Sequence, residues 1–424
     1  MKKRHLVVAV LAGLSVITFM DRMVIAVTGP AIQKELSIDP VAWGWVLSAY
    51  VLAYSAFEIP SGARGDRHGY RRELSRITVW WSFFTLITSV CQSVWQVATA
   101  RFLFGAGAAG AYPNISGVLY RWFPRHERAR GQGFIWSASR LGGALAPLLL
   151  VPLELMIGWR WVFVVMGLIG FVWVIVWRRV YHERPADMPG ITAAELAEIG
   201  EGEHLAHSGT PWRQLFGLRQ LWLIAIAYFF YGFGSWFFFG WFPTWLTSSR
   251  HFLTAQMGLY ATVPLAMGVV TNLLGGMLCD ALEKRIGIRT AYRLIAGGCL
   301  AATALLMFSL SLAHDPMTIV ILAGASFGVM DLMLPSAWAM CMTIGGRQGG
   351  TATAVMNTLG NFGGFVSAAA FGYLVKWTGD FDLPLQCIAA LVLVSAGLFS
   401  LVDCTRGFAS AIEGAQPDQE AIPA

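Results

Sequence analysis

The chain consists of long apolar runs separated by short polar turns. Each run has about 20 residues or more, enough helix at about 1.5 Å per residue to cross a lipid core of about 30 Å. We place twelve such spans at residues 6–32, 41–63, 75–94, 96–121, 131–153, 159–178, 220–247, 255–279, 291–312, 316–343, 350–376 and 384–403. This pattern predicts an all-α membrane protein that crosses the bilayer many times.

Composition agrees with the pattern. The chain is 56% hydrophobic and only 13% charged, whereas a soluble domain carries roughly 25% charged residues. The net charge is +6. Because the basic residues lie in short loops between apolar runs, we expect no nucleic-acid partner. The six cysteines show no metal-ligand spacing, and no disulfide framework, metal site or cofactor is expected. The first run carries a charged pair and is interpreted as a retained span rather than a cleaved signal peptide.

One polar segment divides the chain into two halves. The predicted organisation is an N-terminal six-helix bundle (1–181), a cytoplasmic linker (182–219), a C-terminal six-helix bundle (220–404) and a cytoplasmic tail (405–424). The linker sequence ITAAELAEI predicts a short surface helix.

Basic residues indicate the orientation in the membrane. An even number of spans puts both termini on one side. If that side is cytoplasmic, 23 of the 30 Lys and Arg residues lie in cytoplasmic segments, four on the opposite side and three within spans. This asymmetry predicts that both termini face the cytoplasm.

Span 1 carries the adjacent charges Asp21 and Arg22 in the middle of its apolar sequence. A charge at that depth costs at least ~2.5–3.5 kcal/mol, so it must face partners or a water-filled cavity. Adjacent helix residues point about 100° apart, which makes a direct Asp21–Arg22 bridge awkward. The pair therefore either faces a functional cavity or acts as a structural clamp between helices.

The two halves contain matching sequences. After span 2 comes Gly62-Ala-Arg-Gly-Asp66, and after span 8 comes Gly276-Met-Leu-Cys-Asp280. In both, glycine precedes aspartate by four residues, at positions 214 residues apart. An internal repeat with a binding site between the repeats is a common transporter plan.

The stretch from Gly62 to Arg72 resembles the signature loop of the major facilitator superfamily, and Arg101-Phe-Leu-Phe-Gly-Ala-Gly resembles its fourth-helix motif. The stretches TFMDR, AFEIPSG, GAYPN, SRLGGALAP and GNFGGF are similar to the anion:cation symporter branch, which includes proton-coupled carriers of sugar acids and other organic acids. The resemblance implies twelve transmembrane helices in two bundles. The Gly-Pro-x-x-Gly run of drug antiporters is absent from span 5.

Three arginines lie deep in the spans, and each side chain offers a planar fork that matches a carboxylate. The resemblance implies that Arg22 and Arg101 contact a substrate carboxylate, although Arg101 also fits an arginine that extends to the membrane interface. Arg140 either binds substrate or pairs with an acid such as Glu58.

Proton coupling needs a carboxylate whose environment changes as the carrier changes state. Asp21 fits by position and by resemblance. The second acid usual in this branch is replaced by Ala108. Coupling therefore rests on Asp21 alone, uses Glu58 or Asp331 as well, or is absent; Glu58 also fits a structural role.

The second half offers neutral donors. Asn357 and Asn361 are four residues apart and share a helix face, and the resemblance implies that Asn361 hydrogen-bonds substrate unless it is an interhelical clamp. In the aromatic span 7, Tyr228 and Tyr231 have polar edges that can face a cavity. The repeated loops predict a conformational gate, in which Asp66 caps a neighbouring helix while the basic side chains engage acids. The predicted gate residues are Gly62, Asp66, Arg67, Gly69, Arg71, Arg72 and Asp280.

These features predict a monomeric secondary transporter in a bacterial inner membrane that moves a small organic anion, a sugar acid or another carboxylate, by proton symport. The alternatives are an uncoupled facilitator or exporter and, in a different class, a transporter-like sensor. An enzyme is not expected because no catalytic grouping occurs. An ATP-driven pump is not expected because the chain has no phosphate-binding Gly-rich Lys-Ser/Thr loop.

Overall fold

In the part of the chain that the structure describes, twelve long helical passes are joined mostly by short turns. The computed structural model describes residues 2–38, 40–199, 212–242, 245–246, 249–250, 252 and 254–406. Within these residues the passes are α1, Lys3–Val27; α2, Pro40–His68; α3, Tyr70–Ser89; α4, Val94–Ala108 with Ala111–Trp122; α5, Arg128–Ile157; α6, Trp159–Val180; α7, Arg219–Trp236; α8, Thr254–Ile286; α9, Ile288–Leu312; α10, Pro316–Leu332 with Leu334–Gly345; α11, Gly349–Thr378; and α12, Asp382–Leu401.

Nine helices in the described part of the chain are long and apolar enough to cross a membrane individually. The other three passes are α2, α3 and α4, and each has a local reason for its weaker signal. The charged turn between α2 and α3 extends into both helices, and α4 is divided into segments of 15 and 12 residues. These passes therefore depend more on the surrounding bundle than on their own hydropathy.

Prolines explain where the helices depart from the predicted continuous spans. Pro113 and Pro335 have no N–H to donate to the carbonyl four residues earlier, and the helix is interrupted within that turn in both α4 and α10. In the same way α1 ends at Val27, and Pro30 lies in the first turn of a separate short helix, Gly29–Glu35. Pass α7 ends at Trp236, and a single π-helical turn, Phe237–Trp241, continues it.

Helix pairing repeats with an offset of six. In the first half α1 packs on α5, α2 on α4 and α3 on α6; in the second half α7 packs on α11, α8 on α10 and α9 on α12. The two halves contact each other mainly through two helix pairs, α2 with α11 and α5 with α8. The offset of six converts each of these pairs into the other, because α2 corresponds to α8 and α5 to α11. The internal repeat indicated by the sequence is thus a structural repeat of two six-helix bundles.

The linker between the bundles is anchored to the start of α1. Its predicted surface helix is confirmed as Ala193–Ile199. The Glu195 carboxylate accepts hydrogen bonds from the backbone N–H groups of Lys3 and Arg4, which begin α1, and so caps that helix. The rest of the predicted linker from 200 to 211, and the tail from 407 onward, lie outside the described residues.

Candidate substrate site

A central cavity of about 280 Å³ lies between the two bundles at mid-depth. This volume is near the lower end of the roughly 300–1,000 Å³ typical of small-molecule sites. Its wall is mainly aromatic and comes from both halves, with Phe19, Tyr54, Tyr112 and Trp136 from the first and Tyr228 and Tyr231 from the second. Two arginines also line it.

Arg22 is the cation that remains open toward this cavity. Its guanidinium carbon lies 5.1 Å from the centre of the Phe19 ring and 5.4 Å from those of Tyr50 and Tyr54. Aromatic faces stabilise a cation by about 0.5–2 kcal/mol, and the Tyr50 hydroxyl oxygen also accepts a hydrogen bond from the Arg22 side chain. None of the described carboxylates forms an ion pair with Arg22, and its Nε has no hydrogen-bond partner. The side chain is therefore able to receive an anion.

Asp21 and Arg101 lie behind Arg22, away from the central cavity. Asp21 is 1% exposed and neither of its carboxylate oxygens has a hydrogen-bond partner among the described residues. Arg101 donates to Thr88 Oγ1 at 3.2 Å, and its guanidinium carbon lies 4.4 Å from the centre of the Phe104 ring. Arg101 lines a smaller pocket of about 180 Å³. Arg22 lines both pockets, so it separates Arg101 from the main cavity.

Arg140 also lines the cavity but already holds an acid. Its Nε and Nη2 donate to the two carboxylate oxygens of Asp331 at 2.6 and 2.9 Å, which joins α5 of one bundle to α10 of the other. The two side chains are almost fully buried. Asn272 on α8 donates to the same carboxylate at 2.9 Å. The acid beside Arg140 is thus Asp331, whereas the sequence suggested Glu58 as one candidate partner.

Glu58 instead joins α2 to α11. It is fully buried and accepts hydrogen bonds from the Asn357 amide, from Thr358 Oγ1 at 3.2 Å and from the Asn361 amide at 3.4 Å. Both asparagines line the cavity. Arg22 of the same bundle also interacts electrostatically with Glu58. The hydrogen-bond donors from α11 are lost to this carboxylate if the bundles move apart.

A layer of packed aromatic side chains extends from one bundle to the other beside the cavity. Only Tyr228 and Tyr231 of this layer were predicted from the sequence. Tyr112 of α4 stacks on Trp136 of α5 with ring centres 4.7 Å apart, and Trp338 of α10 packs edge-on against Trp136 at 5.1 Å. Trp338 Nε1 donates to the Tyr228 hydroxyl at 3.0 Å, and Tyr228 stacks on Tyr231 at 4.7 Å. Trp136 precedes Arg140 by four residues and so shares its helix face, a signal that was available in the sequence.

We call the side of the protein where α1 begins the N-terminal face. Near this face Asp66 of α2 caps the first turn of α11. Its carboxylate accepts from Gly350 N at 3.2 Å, Thr351 N at 2.8 Å and Thr351 Oγ1 at 2.6 Å. A side chain at Gly62, one turn earlier, would collide with the Gly350 carbonyl, so glycine permits this close approach of the two helices.

The repeated motif makes the equivalent contact in the opposite direction. Asp280 of α8 accepts a hydrogen bond from the backbone N–H of Arg130, in the first turn of α5, at 3.1 Å, and the Arg130 side chain lies 3.6 Å away. Each bundle therefore supplies an aspartate that caps a helix of the other. All hydrogen bonds and ion pairs between the bundles in the described part of the chain lie between the N-terminal face and mid-depth.

The basic residues of the first loop behave differently from the expectation. The side chains of Arg67, Arg71 and Arg72 form no ion pair with any described residue. The nearby acid is Glu183, which accepts from the backbone N–H groups of Tyr70 and Arg71 and pairs with Arg121. Gly69 has a φ of 88°, a left-handed conformation that suits glycine and turns α2 into α3.

The family model described as Major Facilitator Superfamily matches residues 11–368. The chain belongs to the major facilitator superfamily. Its fold agrees with that assignment: it superposes with a TM-score of 0.73 on FucP in the outward conformation, at 13% identity over 94% of this chain and 100% of that one. It also matches the proton:xylose symporter XylE with a TM-score of 0.73, at 15% identity over 94% and 95% of the two chains.

Curated relatives place the chain within the anion:cation symporter branch. It is 33% identical to a probable sulfoacetate transporter, SauU, of Cupriavidus necator, over 93% of both chains. It is 30% identical to a D-galactonate transporter of Escherichia coli, over 93% of this chain and 94% of the relative. The protein is thus an integral membrane protein with multiple spans and a secondary transporter, and members of this superfamily are not enzymes.

Proposed function

We propose that this protein carries a small organic anion across the membrane by alternating access, with a proton moving in the same direction. The observation that carries the proposal is Arg22, a cation on the wall of the central cavity that forms no ion pair with any described carboxylate. The curated relatives, whose names give sulfoacetate and D-galactonate as their substrates, support an anionic substrate.

In this proposal Arg22 binds the carboxylate or sulfonate of the substrate through its guanidinium fork. Charge-assisted hydrogen bonds of this kind are about twice as strong as neutral ones. Asn357, Asn361, Tyr228 and Tyr231 contribute polar groups to the rest of the substrate because they line or face the same cavity. Arg101 acts from behind Arg22 by adding positive charge to the region.

Asp21 is the proposed proton carrier for coupling. It is buried and interacts electrostatically with Arg101, and its unpartnered oxygens leave room for a proton. Glu58 is a second coupling candidate because the α11 amides that satisfy it belong to the moving bundle interface. The branch's usual span-4 acid is Ala108 here, and this substitution favours an uncoupled facilitator or exporter as the alternative function.

The N-terminal face is proposed to be cytoplasmic because the loops at that face carry most of the basic residues. The structure is then closed to the cytoplasm, and substrate reaches the cavity from the outside. Rocking of the 1–181 bundle against the 220–404 bundle releases the Asp66 and Asp280 caps and opens the inner side. We place this carrier in a bacterial inner membrane as a monomer.

The testing experiment is a thermal-shift screen of the purified full-length protein against sugar acids, sulfonates, dicarboxylates and neutral sugars, at about pH 5.5 and about pH 7.5. A ligand that binds only the native state raises the melting temperature by mass action. Arg22→Gln is the matched variant, since it removes the charge and keeps a polar side chain of similar length.

We expect anionic ligands to stabilise the wild type, to do so more strongly at the lower pH, and to lose their effect in Arg22→Gln. Stabilisation by neutral sugars alone, or anion binding that survives in Arg22→Gln, would contradict the proposed anchor. Anion binding without pH dependence, followed by uptake that does not accumulate substrate, would favour the uncoupled facilitator.

A further inference from the structure

Building on the proposed function, we infer that the preferred substrate is a dianion, with one anionic group on Arg22 and the second on Arg140, where it takes the place of Asp331. The substrate class is therefore a compact dicarboxylate or sulfocarboxylate rather than a monocarboxylate.

The two arginines are close enough for one small molecule to reach both. Their guanidinium carbons lie 5.1 and 6.0 Å from the centre of the same ring, Phe19, so the two cations are at most about 11 Å apart. Hydrogen bonds of about 2.7–2.9 Å at each end take up much of that distance. A short chain with an anionic group at each end spans what remains.

Asp331 holds Arg140 in the way a substrate carboxylate would. Both oxygens face the guanidinium fork, which is the bidentate geometry of carboxylate recognition. Arg140 lines the cavity, and Asp331 lies directly behind it, fully buried. A purely structural pair does not need its arginine on the cavity wall. Asp331 therefore occupies the second anion position while the carrier is empty.

The surroundings of Asp331 allow it to be displaced. Asn272 of α8 donates to the carboxylate independently of Arg140, so one partner remains after the exchange. A side chain at Gly268, also on α8, would collide with Asp331, so this glycine makes room for the carboxylate beside α8. A buried carboxylate that loses its cation is costly, and a proton taken up from cavity water onto one Asp331 oxygen removes that cost.

Few other charged groups face this carboxylate. Arg140 approaches it from α5, and the uncharged phenols of Tyr228 and Tyr231 approach from α7. From α8 it meets Asn272 and Gly268, and from α9 Thr303 is bonded to the α10 backbone and carries no charge. Binding of a dianion with one proton on Asp331 thus leaves the local charge balanced: two arginines face two substrate charges.

The experiment compares matched ligands that differ by one charge: galactarate with galactonate, and sulfoacetate with sulfoacetamide. All four keep their charges above about pH 5, because ordinary carboxyl groups titrate near 4. Dissociation constants are measured by calorimetry on the full-length protein at about pH 5.5 and about pH 7.5. The variants are Asp331→Asn and the double variant Arg140→Gln/Asp331→Asn, which removes both charges and avoids an unpaired buried group.

In the wild type we expect the dianion of at least one pair to bind about tenfold more tightly than its monoanion at the lower pH, and this ratio to shrink at the higher pH. Asp331→Asn should keep the ratio high at both pH values because Arg140 is permanently free. The double variant should bring the ratio close to one while both ligands still bind through Arg22.

Equal affinities for both members of each pair in the wild type would overturn the inference and leave the proposed anion transport intact. An unchanged ratio in the double variant would do the same, since Arg140 would then have no part in selectivity. If none of the four ligands binds the wild type while neutral sugars do, the proposed function itself fails. If Asp331→Asn does not fold, the double variant alone decides.

Discussion

Arg22 and Arg140 face the same cavity from the same bundle, yet their surroundings differ. Arg22 rests on aromatic rings and has no acid partner among the described residues. Arg140 forms a bidentate ion pair with an acid of the other bundle. The difference shows that a deep arginine is not automatically available to a substrate. An arginine whose guanidinium fork is already filled by a carboxylate of the chain can bind an anion only after that carboxylate is displaced.

The largest expected effect on stability concerns the ion pair between Arg140 and Asp331. Arg140→Gln leaves Asp331 buried without its cation, which should lower the free energy of unfolding by about 3–5 kcal/mol. The double variant Arg140→Gln/Asp331→Asn should recover most of that loss, because no charge remains unpaired. Chemical denaturation in detergent measures both. A single variant as stable as the wild type would show that the ion pair contributes nothing to folding.

Substitution of Arg22 should have the opposite effect, with little change in stability and a large loss of anion affinity. Arg22→Gln removes a buried cation that has no acid partner, so the melting temperature should stay the same or rise. Anion affinity should fall at least about 100-fold, or about 2.7 kcal/mol. Arg22→Lys should give an intermediate affinity, because an ammonium keeps the charge but not the planar fork. A marked loss of stability in Arg22→Gln would mean that Arg22 holds the fold together instead of waiting for an anion.

Asp21, which precedes Arg22 in the sequence, allows a test of proton coupling. Asp21→Asn should stop proton-driven accumulation of substrate in proteoliposomes but preserve exchange of labelled for unlabelled substrate, since exchange needs no net proton movement. Glu58→Gln, which keeps the shape of a side chain bonded to α11, is the comparison variant. Uphill uptake at the wild-type level in Asp21→Asn would exclude Asp21 from coupling.

A smaller effect is expected at the two caps. Replacing a capping aspartate by alanine typically costs about 0.5–2 kcal/mol, so Asp66→Ala and Asp280→Ala should each shift the equilibrium away from the closed N-terminal face. Asp66→Ala should shift it further because Asp66 accepts three bonds from α11 and Asp280 one from the α5 backbone. Labelling of Ala354→Cys, next to Gly62, in a cysteine-free background reports the opening. Equal labelling with and without Asp66 would contradict the gate.

The smallest effect should come from an exposed pair, Glu35 with Arg160, at the opposite face. Hydrogen bonds from Trp159 and Arg160 lower the pKa of the Glu35 carboxyl below its usual value of 4.5. A lowered folded-state pKa adds stability above the usual value, and this stability is lost as the pH falls through the folded-state pKa. Glu35→Gln should therefore lower the melting temperature slightly near neutral pH, and this effect should fade as the pH falls below 4.5. A large change at neutral pH would contradict the expectation that an exposed ion pair contributes little to stability.

Much of the fold could be predicted because its signals are local. The apolar runs gave the passes, and the glycine–aspartate repeat indicated two related halves. Pro113, Pro335 and Pro30 were visible in the sequence too, but a proline marks only an interrupted hydrogen bond. Whether the helix then bends or ends depends on the helices around it.

The site was harder to predict because its pairings cross between the bundles. Arg140 and Asp331 are 191 residues apart, and nothing local distinguishes Asp331 from Glu58 as the partner. The sequence placed Arg22 and Arg101 together as anchors, whereas the structure puts only Arg22 on the main cavity. Trp136 and Trp338 escaped notice because an aromatic residue in a membrane span faces lipid as readily as a cavity.

The two sides of each interbundle cap differ in how mutation can affect them. On one side of each contact stands a single aspartate, and on the other stand backbone N–H groups at the start of a helix. Nearly any amino acid except proline supplies such an N–H, so substitutions at Thr351 or Arg130 leave the main-chain donor in place. The opposing side keeps two constraints of its own: Thr351 also donates its hydroxyl to Asp66, and a side chain at Gly350 would collide with that carboxylate. During sequence divergence the α5 side of the Asp280 cap is therefore freer to change than the α11 side of the Asp66 cap.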